Sequence, residues 1–173
     1  MHAASRDADE ALVALYTTHY RSLVRLGTLL LHDQAAAEDV VQDAFVAVHA
    51  SWHRLRDPEK ALAYLRQSVV NRSRSRLRHL KVADRKAPAL LPAEAAGAVP
   101  SAETRALTAL DRDHVLRALR SLPQRQREVI VLRYYADLSE AQIADAMGIS
   151  TGAVKSHASR GMGALRERLE RTS

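Results

Sequence analysis

The sequence contains no cysteine, which excludes disulfides and thiolate-ligated zinc or iron–sulfur sites. Aromatic residues make up 4%, with one Phe and one Trp, so any core must be aliphatic and rich in Ala and Leu. No apolar run approaches the roughly 20 residues of a bilayer-spanning helix, and no basic-apolar-small leader opens the chain. The expectation is a cytoplasmic protein with no membrane contact. There is no Gly-rich phosphate loop and no nucleophile motif, so we expect no catalysis by the chain itself, no cofactor and no small-molecule substrate. His49 and His53 stand at i,i+4, a spacing able to hold a metal, but no convincing third ligand accompanies them. A packed or solvated pair is the better reading, and no metal is expected.

Hydrophobic residues at 47% over 173 positions exclude wholesale disorder and suit one domain or two small ones. The net charge of +6 conceals an asymmetry. Residues 1–60 carry 6 basic and 9 acidic groups; residues 61–86 carry 8 and 1. Residues 87–113 carry 2 and 4, and residues 114–173 carry 10 and 6. Two basic blocks separated by an acidic-to-neutral spacer suggest two contacts with one polyanion.

The second block holds the most informative stretch, Leu122 to Leu169. Within SEAQIADAM, Ile143, Ala144 and Met147 fall on one helical face. Gly148-Ile149-Ser150 follows, then a second periodic segment with Val154, Ala158, Gly161, Leu165 and Leu169. Two helices joined by a short Gly-bearing turn are a helix-turn-helix signature. Gly148 frees the backbone for the turn, and Ser150 or Thr151 can cap the second helix. Lys155, Ser156, Ser159 and Arg160 are left facing outward, as suits a helix in a major groove. Thr151 and the amides at that helix start suit a phosphate. His157 falls between groove edge and core. Arg125, Arg127 and Arg133 are candidates for flanking phosphate, with a solvated surface as good a reading for each.

Upstream the chain reads as helices throughout. Leu12, Leu15, Tyr16, His19, Leu23, Leu26 and Leu30 mark a helix over 8–31. Asp33 can cap the next, over 34–54, whose apolar seam is Val41, Phe45, Val48, Trp52 and Leu55. Glu38, Asp39, Gln42 and Asp43 lie on other faces, either solvated or docking a basic partner. Asp57-Pro58 opens a third helix, over 59–81, with Ala61, Leu62, Leu65, Val69, Leu77 and Leu80 as its buried stripe. Arg66, Arg72, Arg74, Arg76, Arg78 and Lys81 surround it, and Asn71 marks an irregularity or a specific polar contact. Periodicity fails over 82–104, which holds three of the five prolines and reads as a linker in which Leu90 and Leu91 are candidates to dock. Helices resume over 105–121, through Leu107, Leu110, Val115, Leu116 and Leu119. A further helix covers 124–136, with Val129, Ile130, Leu132 and Tyr134 apolar. The fold class expected is all-α: a small N-terminal domain of three or four helices over 8–82, a linker over 83–104, and a four-helix domain over 105–170.

Three motifs in this order resemble a bacterial RNA polymerase sigma factor of the sigma-70 family, extracytoplasmic-function (ECF) group, and most of all its short actinobacterial branch. AAAEDVVQDAFVAVHASW (35–52) is similar to the segment that docks on the clamp helices of the polymerase β′ subunit. AYLRQSVVNRSRSRLRHLK (63–81) is similar to the segment that melts and reads the −10 element. The stretch 122–169 is similar to the domain that reads the −35 element. The resemblance implies a transcription-initiation function, with Glu38, Asp39, Gln42 and Asp43 contacting polymerase and Arg66, Asn71, Arg72, Arg74 and Arg78 contacting −10 DNA. Thr151, Lys155, Ser156, Ser159 and Arg160 would contact −35 DNA. The implied partners are core polymerase, through β′ clamp helices and β flap, promoter DNA, and an anti-sigma protein of the kind that commonly holds such factors inactive. Departures from the family pattern are Tyr64 where Trp is frequent, Ser68-Val69 for Ile-Ala, and Ser75 for an acid, so the −10 preference should differ from the commonest. Tyr64 is expected to pack rather than stack on a base. The rival reading is a LuxR-type regulator, which shares a pattern like GISTGAVKSH but needs an N-terminal half of alternating strands and helices; residues 1–81 read as helical.

Overall fold

The structure, a computed structural model, describes residues 2–84 and 104–171, with side chains from Arg6 to Asp84 and from Arg112 to Arg171. The linker reading between 85 and 103, including Leu90 and Leu91, and the side chains of Leu107 and Leu110 lie outside the described residues. The chain divides into two compact units, Met1–Leu91 and Pro92–Ser173. The fold is all-α, with no strand among the described residues and no described helix long and apolar enough to cross a membrane.

The described residues of the first unit form three α-helices. Helix α1, His2–Leu31, buries Ala8, Leu12, Leu23, Leu26 and Leu30. Tyr16, expected on that face, is 44% exposed instead. Its ring stacks on Tyr20 at 4.5 Å and meets Phe45 edge-on at 5.2 Å, so it covers the seam between two helices from outside. Asp33 caps α2, Gln34–Ala50, by accepting from the Ala36 amide at 3.0 Å. Helices α1 and α2 pack closely because Gly27 carries no side chain: a Cβ there would stand 2.9 Å from that of Ala37. Helix α2 stops short of the expected 54. The Ser51 hydroxyl donates back to the Ala47 carbonyl at 2.8 Å, and Trp52–Arg54 form a 3-10 turn. Val41, Phe45 and Val48 are buried as expected, whereas Trp52 and Leu55 are only half-buried.

Asp57 and Pro58 start the third element as the sequence indicates, through a 3-10 turn, Pro58–Lys60, that runs into α3, Ala61–Asp84. Ala61, Leu65, Val69, Val70 and Ser73 are buried. Beyond Ser73 the described residues build no closed core beneath the helix: Leu77 is half-buried and Leu80 is 52% exposed, so the predicted stripe is too long at this end. Asn71 causes no break, and α3 runs through it.

The described residues of the second unit form four α-helices: α4 Thr104–Arg120, α5 Gln124–Ile130, α6 Glu140–Met147 and α7 Thr151–Glu170. Ala118 and Leu122 are buried, but Val115, expected to be apolar and internal, is 39% exposed. The single helix expected over 124–136 ends at Ile130 and continues as one π turn, Val131–Tyr135, closed by the Ala136 amide on the Val131 carbonyl at 3.1 Å. The wider turn shifts the phase of the side chains after it. Leu132 stays fully buried, while Tyr134, counted with it among the apolar residues of this helix, is 60% exposed.

Candidate nucleic-acid interface

The α6–α7 pair is fixed by its own caps. The Ser139 hydroxyl accepts from the Gln142 amide at 3.2 Å, and the Gln142 side chain accepts from the Ser139 amide at 2.9 Å, a reciprocal capping box. Gly148 ends α6 in the left-handed region, at φ 62°, which a side chain would disfavour. Ser150, rather than Thr151, caps α7 by accepting from the Ala153 amide at 3.1 Å. Ile143, Ala144 and Met147 from α6 and Val154, Ala158 and Gly161 from α7 are buried, as their spacing requires. Gly161 lets α7 press on α5, since a Cβ there would lie 3.0 Å from Ile130 Cγ1.

Thr151, Lys155, Ser156, Ser159 and Arg160 are all exposed along one side of α7. His157 is half-buried, with its Nδ1 in the interior and without a hydrogen-bond partner. Glu140, which sequence reasoning did not single out, joins two cations: Oε1 is 3.2 Å from Arg133 Nη1, and Oε2 is 3.7 Å from Lys155 Nζ. Arg133 also stands over the Tyr134 ring, 5.8 Å from its centroid. The three arginines considered for flanking phosphate thus differ. Arg125 is exposed and reaches the Met147 carbonyl at 3.5 Å. Arg127 is no surface group: it is 8% exposed and donates to the Arg120 and Leu122 carbonyls at 3.4 Å, closing the C-terminus of α4. Burial holds its guanidinium pKa below the ordinary value, against the opposing pull of Glu128.

In the first unit, an open groove along α3 is lined by Tyr64, Gln67, Ser68, Asn71, Arg72 and Ser75. Asn71 is exposed, and Arg72 Nε donates to the Ser68 hydroxyl at 3.2 Å. Of the residues singled out for −10 contact, the groove gathers Asn71 and Arg72; Arg66, Arg74 and Arg78 are not among its lining. Tyr64 is 40% exposed and lines this groove, so it does not lie in the core. Its distance of seven from Asn71, two helical turns, was the available signal for that shared face.

On α2, Asp39, Gln42 and Asp43 are exposed, and Glu38 is half-buried and accepts from the Gln34 amide group at 3.0 Å. Asp39 comes within 4.0 Å of Arg76 on α3. Beside this face, burial raises the Tyr20 pKa above 10.0, with Tyr16 and Glu38 adding to the effect and a hydrogen bond with Gln42 opposing it. His49 pairs with Asp9 at 2.8 Å rather than with His53, and no metal-holding group of three ligands occurs among the described residues.

Two family models match the chain: Sigma-70 region 2 over residues 15–82 and Sigma-70 region 4 over residues 112–165. An RNA polymerase sigma-E factor of Streptomyces avermitilis is 33% identical over 156 residues, covering 88% of this chain and 82% of that protein. An ECF RNA polymerase sigma factor, SigM, of Mycobacterium tuberculosis is 32% identical over 146 residues, covering 84% and 70%. The fold is similar to that of the sigma factor RpoE of Bartonella quintana, solved with the anti-sigma factor NepR, at a TM-score of 0.62, 24% identity and 95% coverage of each chain. The chain belongs to the sigma-70 family of RNA polymerase sigma factors. Within that family it falls in the ECF group, and it is a promoter-directing sigma factor.

Proposed function

We propose that the two units divide promoter recognition between them. Residues 8–82 dock on core polymerase and open the −10 element, residues 105–170 hold the −35 element, and residues 83–104 link the two. Glu38, Asp39, Gln42 and Asp43 contact the β′ clamp helices, where paired charges give orientation and association rate more than raw affinity. Along α3, Asn71 reads a base edge through its amide, which both donates and accepts. Arg66, Arg72, Arg74 and Arg78 hold phosphates of the opened strand, offsetting the cost of unstacking. On α7, Lys155 and Arg160 reach guanine acceptors or phosphate, Ser156 and Ser159 reach base edges, and Thr151 sits at the phosphate-binding helix start. The second unit also contacts the β flap.

The observation that carries this reading is the order of three exposed faces along the chain. An acidic α2 is followed by a cationic α3 bearing an open groove at Asn71, and then by a capped α7 with cations outward. The chain supplies binding energy at fixed positions, not covalent chemistry, and works in the compartment that holds polymerase, the cytoplasm. By analogy with the RpoE–NepR complex, an anti-sigma protein is a further partner. A regulator acting without polymerase has no specific observation in its favour. Run-off transcription with purified core polymerase over a fragmented genomic library tests the proposal. Promoter-specific transcripts that depend on the chain are expected; DNA binding without any such transcript overturns it.

A further inference from the structure

The geometry points to Glu140 as a specificity-determining residue: it holds Lys155 away from the phosphate backbone and so directs that ammonium to base edges. This rests on α7 being the −35 reader. The carboxylate is bound at both oxygens, to Arg133 at 3.2 Å and to Lys155 at 3.7 Å, so three segments meet in one network: the π turn, the first turn of α6 and the first turns of α7. Its side chain is one-third exposed, against 68% for that of Lys155. Arg133 is held on two sides, by Glu140 and by the Tyr134 ring, and so anchors the carboxylate. An isolated exposed ion pair contributes little, but a carboxylate bridging two cations, one of them already fixed, loses less freedom in forming the second contact.

The consequence lies in what the Lys155 ammonium meets when DNA arrives. A lysine on a groove helix has two classes of acceptor: phosphate oxygens, which are the same at every sequence, and guanine O6 and N7, which are not. A phosphate approaching Lys155 here also approaches Glu140, and like charges at this range repel. A guanine edge carries no net charge and meets no such repulsion. Glu140 therefore withholds from Lys155 its sequence-independent partner and leaves the sequence-dependent one. It acts through Lys155 rather than by touching a base.

The test uses the full chain at low salt, with two probes: an unselected randomised duplex pool, and the duplex that the wild-type chain enriches from that pool. Glu140→Gln keeps the size of the side chain and removes its charge. The variant should bind the unselected pool about three- to tenfold more tightly, with a log–log salt slope steeper by about one, as for one added phosphate contact. Binding to the enriched duplex should change less, so the ratio of the two affinities falls. Adding Lys155→Ala to Glu140→Gln should abolish the gain on the unselected pool. An unchanged ratio, equal gains on both probes, or a gain that survives Lys155→Ala overturns the role of Glu140 while leaving α7 as reader. If the wild-type chain enriches no sequence at all, the reading of α7 falls and this inference with it.

Discussion

Asp39 and Arg76 approach to 4.0 Å, an acid of the α2 face beside a base of α3. The proposed docking surface and the proposed strand-opening helix therefore share a charge. Both partners are well exposed, at 68% and 44%, so the pair adds under about 1 kcal/mol to stability. Replacing Asp39 and Asp43 together by Lys should abolish core polymerase binding in a titration, leave −35 duplex affinity unchanged, and barely move the melting temperature. Loss of both activities, or of neither, would contradict the division of labour between the units.

Two glycines of α7 should respond in opposite directions to the same substitution. Gly163 has nothing within 4 Å of an added Cβ, so Gly163→Ala should stabilise by about 0.5–1 kcal/mol through helix propensity. Gly161 faces Ile130 Cγ1 at 3.0 Å and Gln126 at 3.3 Å, so Gly161→Ala has to part α7 from α5. Overpacking of this kind costs about 1–3 kcal/mol, enough to outweigh the propensity gain. Denaturant midpoints of the two variants check the signs; stabilisation by both would show that the α5–α7 contact yields freely.

Arg127 should matter for folding and not for DNA. Its Nη1 donates to both the Arg120 and Leu122 carbonyls and closes the end of α4, and a lysine would have to bury a more strongly hydrated ammonium in its place. Arg127→Lys and Arg127→Met should each destabilise by about 1–3 kcal/mol, measured by urea unfolding. At temperatures where the variants are folded, the salt slope of duplex binding should stay at the wild-type value. A slope lowered by about one would identify Arg127 as a phosphate contact after all.

The raised pKa of Tyr20 has a definite sign. Folding favours the neutral phenol, so its contribution is fully present below 10.0, the value of an ordinary tyrosine, and is lost as pH climbs through the folded-state pKa. Between about pH 9 and about pH 11, Tyr20→Phe should reduce the fall in melting temperature relative to the wild-type chain. Parallel curves would remove Tyr20 as the cause.

Features decided within a few residues were legible in the sequence. Asp33, Asp57, Gly148 and Ser150 announced helix ends because capping depends on local hydrogen bonds. The faces of α6 and α7 followed from spacing. What the sequence concealed depends on neighbours. Leu80 and Val115 keep the helical period yet lie exposed, because no described residue covers them. Tyr134 is turned outward by a π turn that apolar periodicity does not register. Arg127 looked like one more surface arginine until the carbonyls it closes were placed beside it. The Arg133–Glu140–Lys155 network joins positions seven and fifteen residues apart across two turns, beyond the reach of any single-helix pattern.

The caps around α6 and α7 separate two tasks that one helix could have combined. The capping box at Ser139, the left-handed Gly148 and the Ser150 cap set the pose of α7 from its back and its ends, and none of them draws on Ser156, Ser159 or Arg160. The proposed DNA address is thus written on a detachable label: those three residues can be exchanged for another set while the frame that presents them keeps its shape.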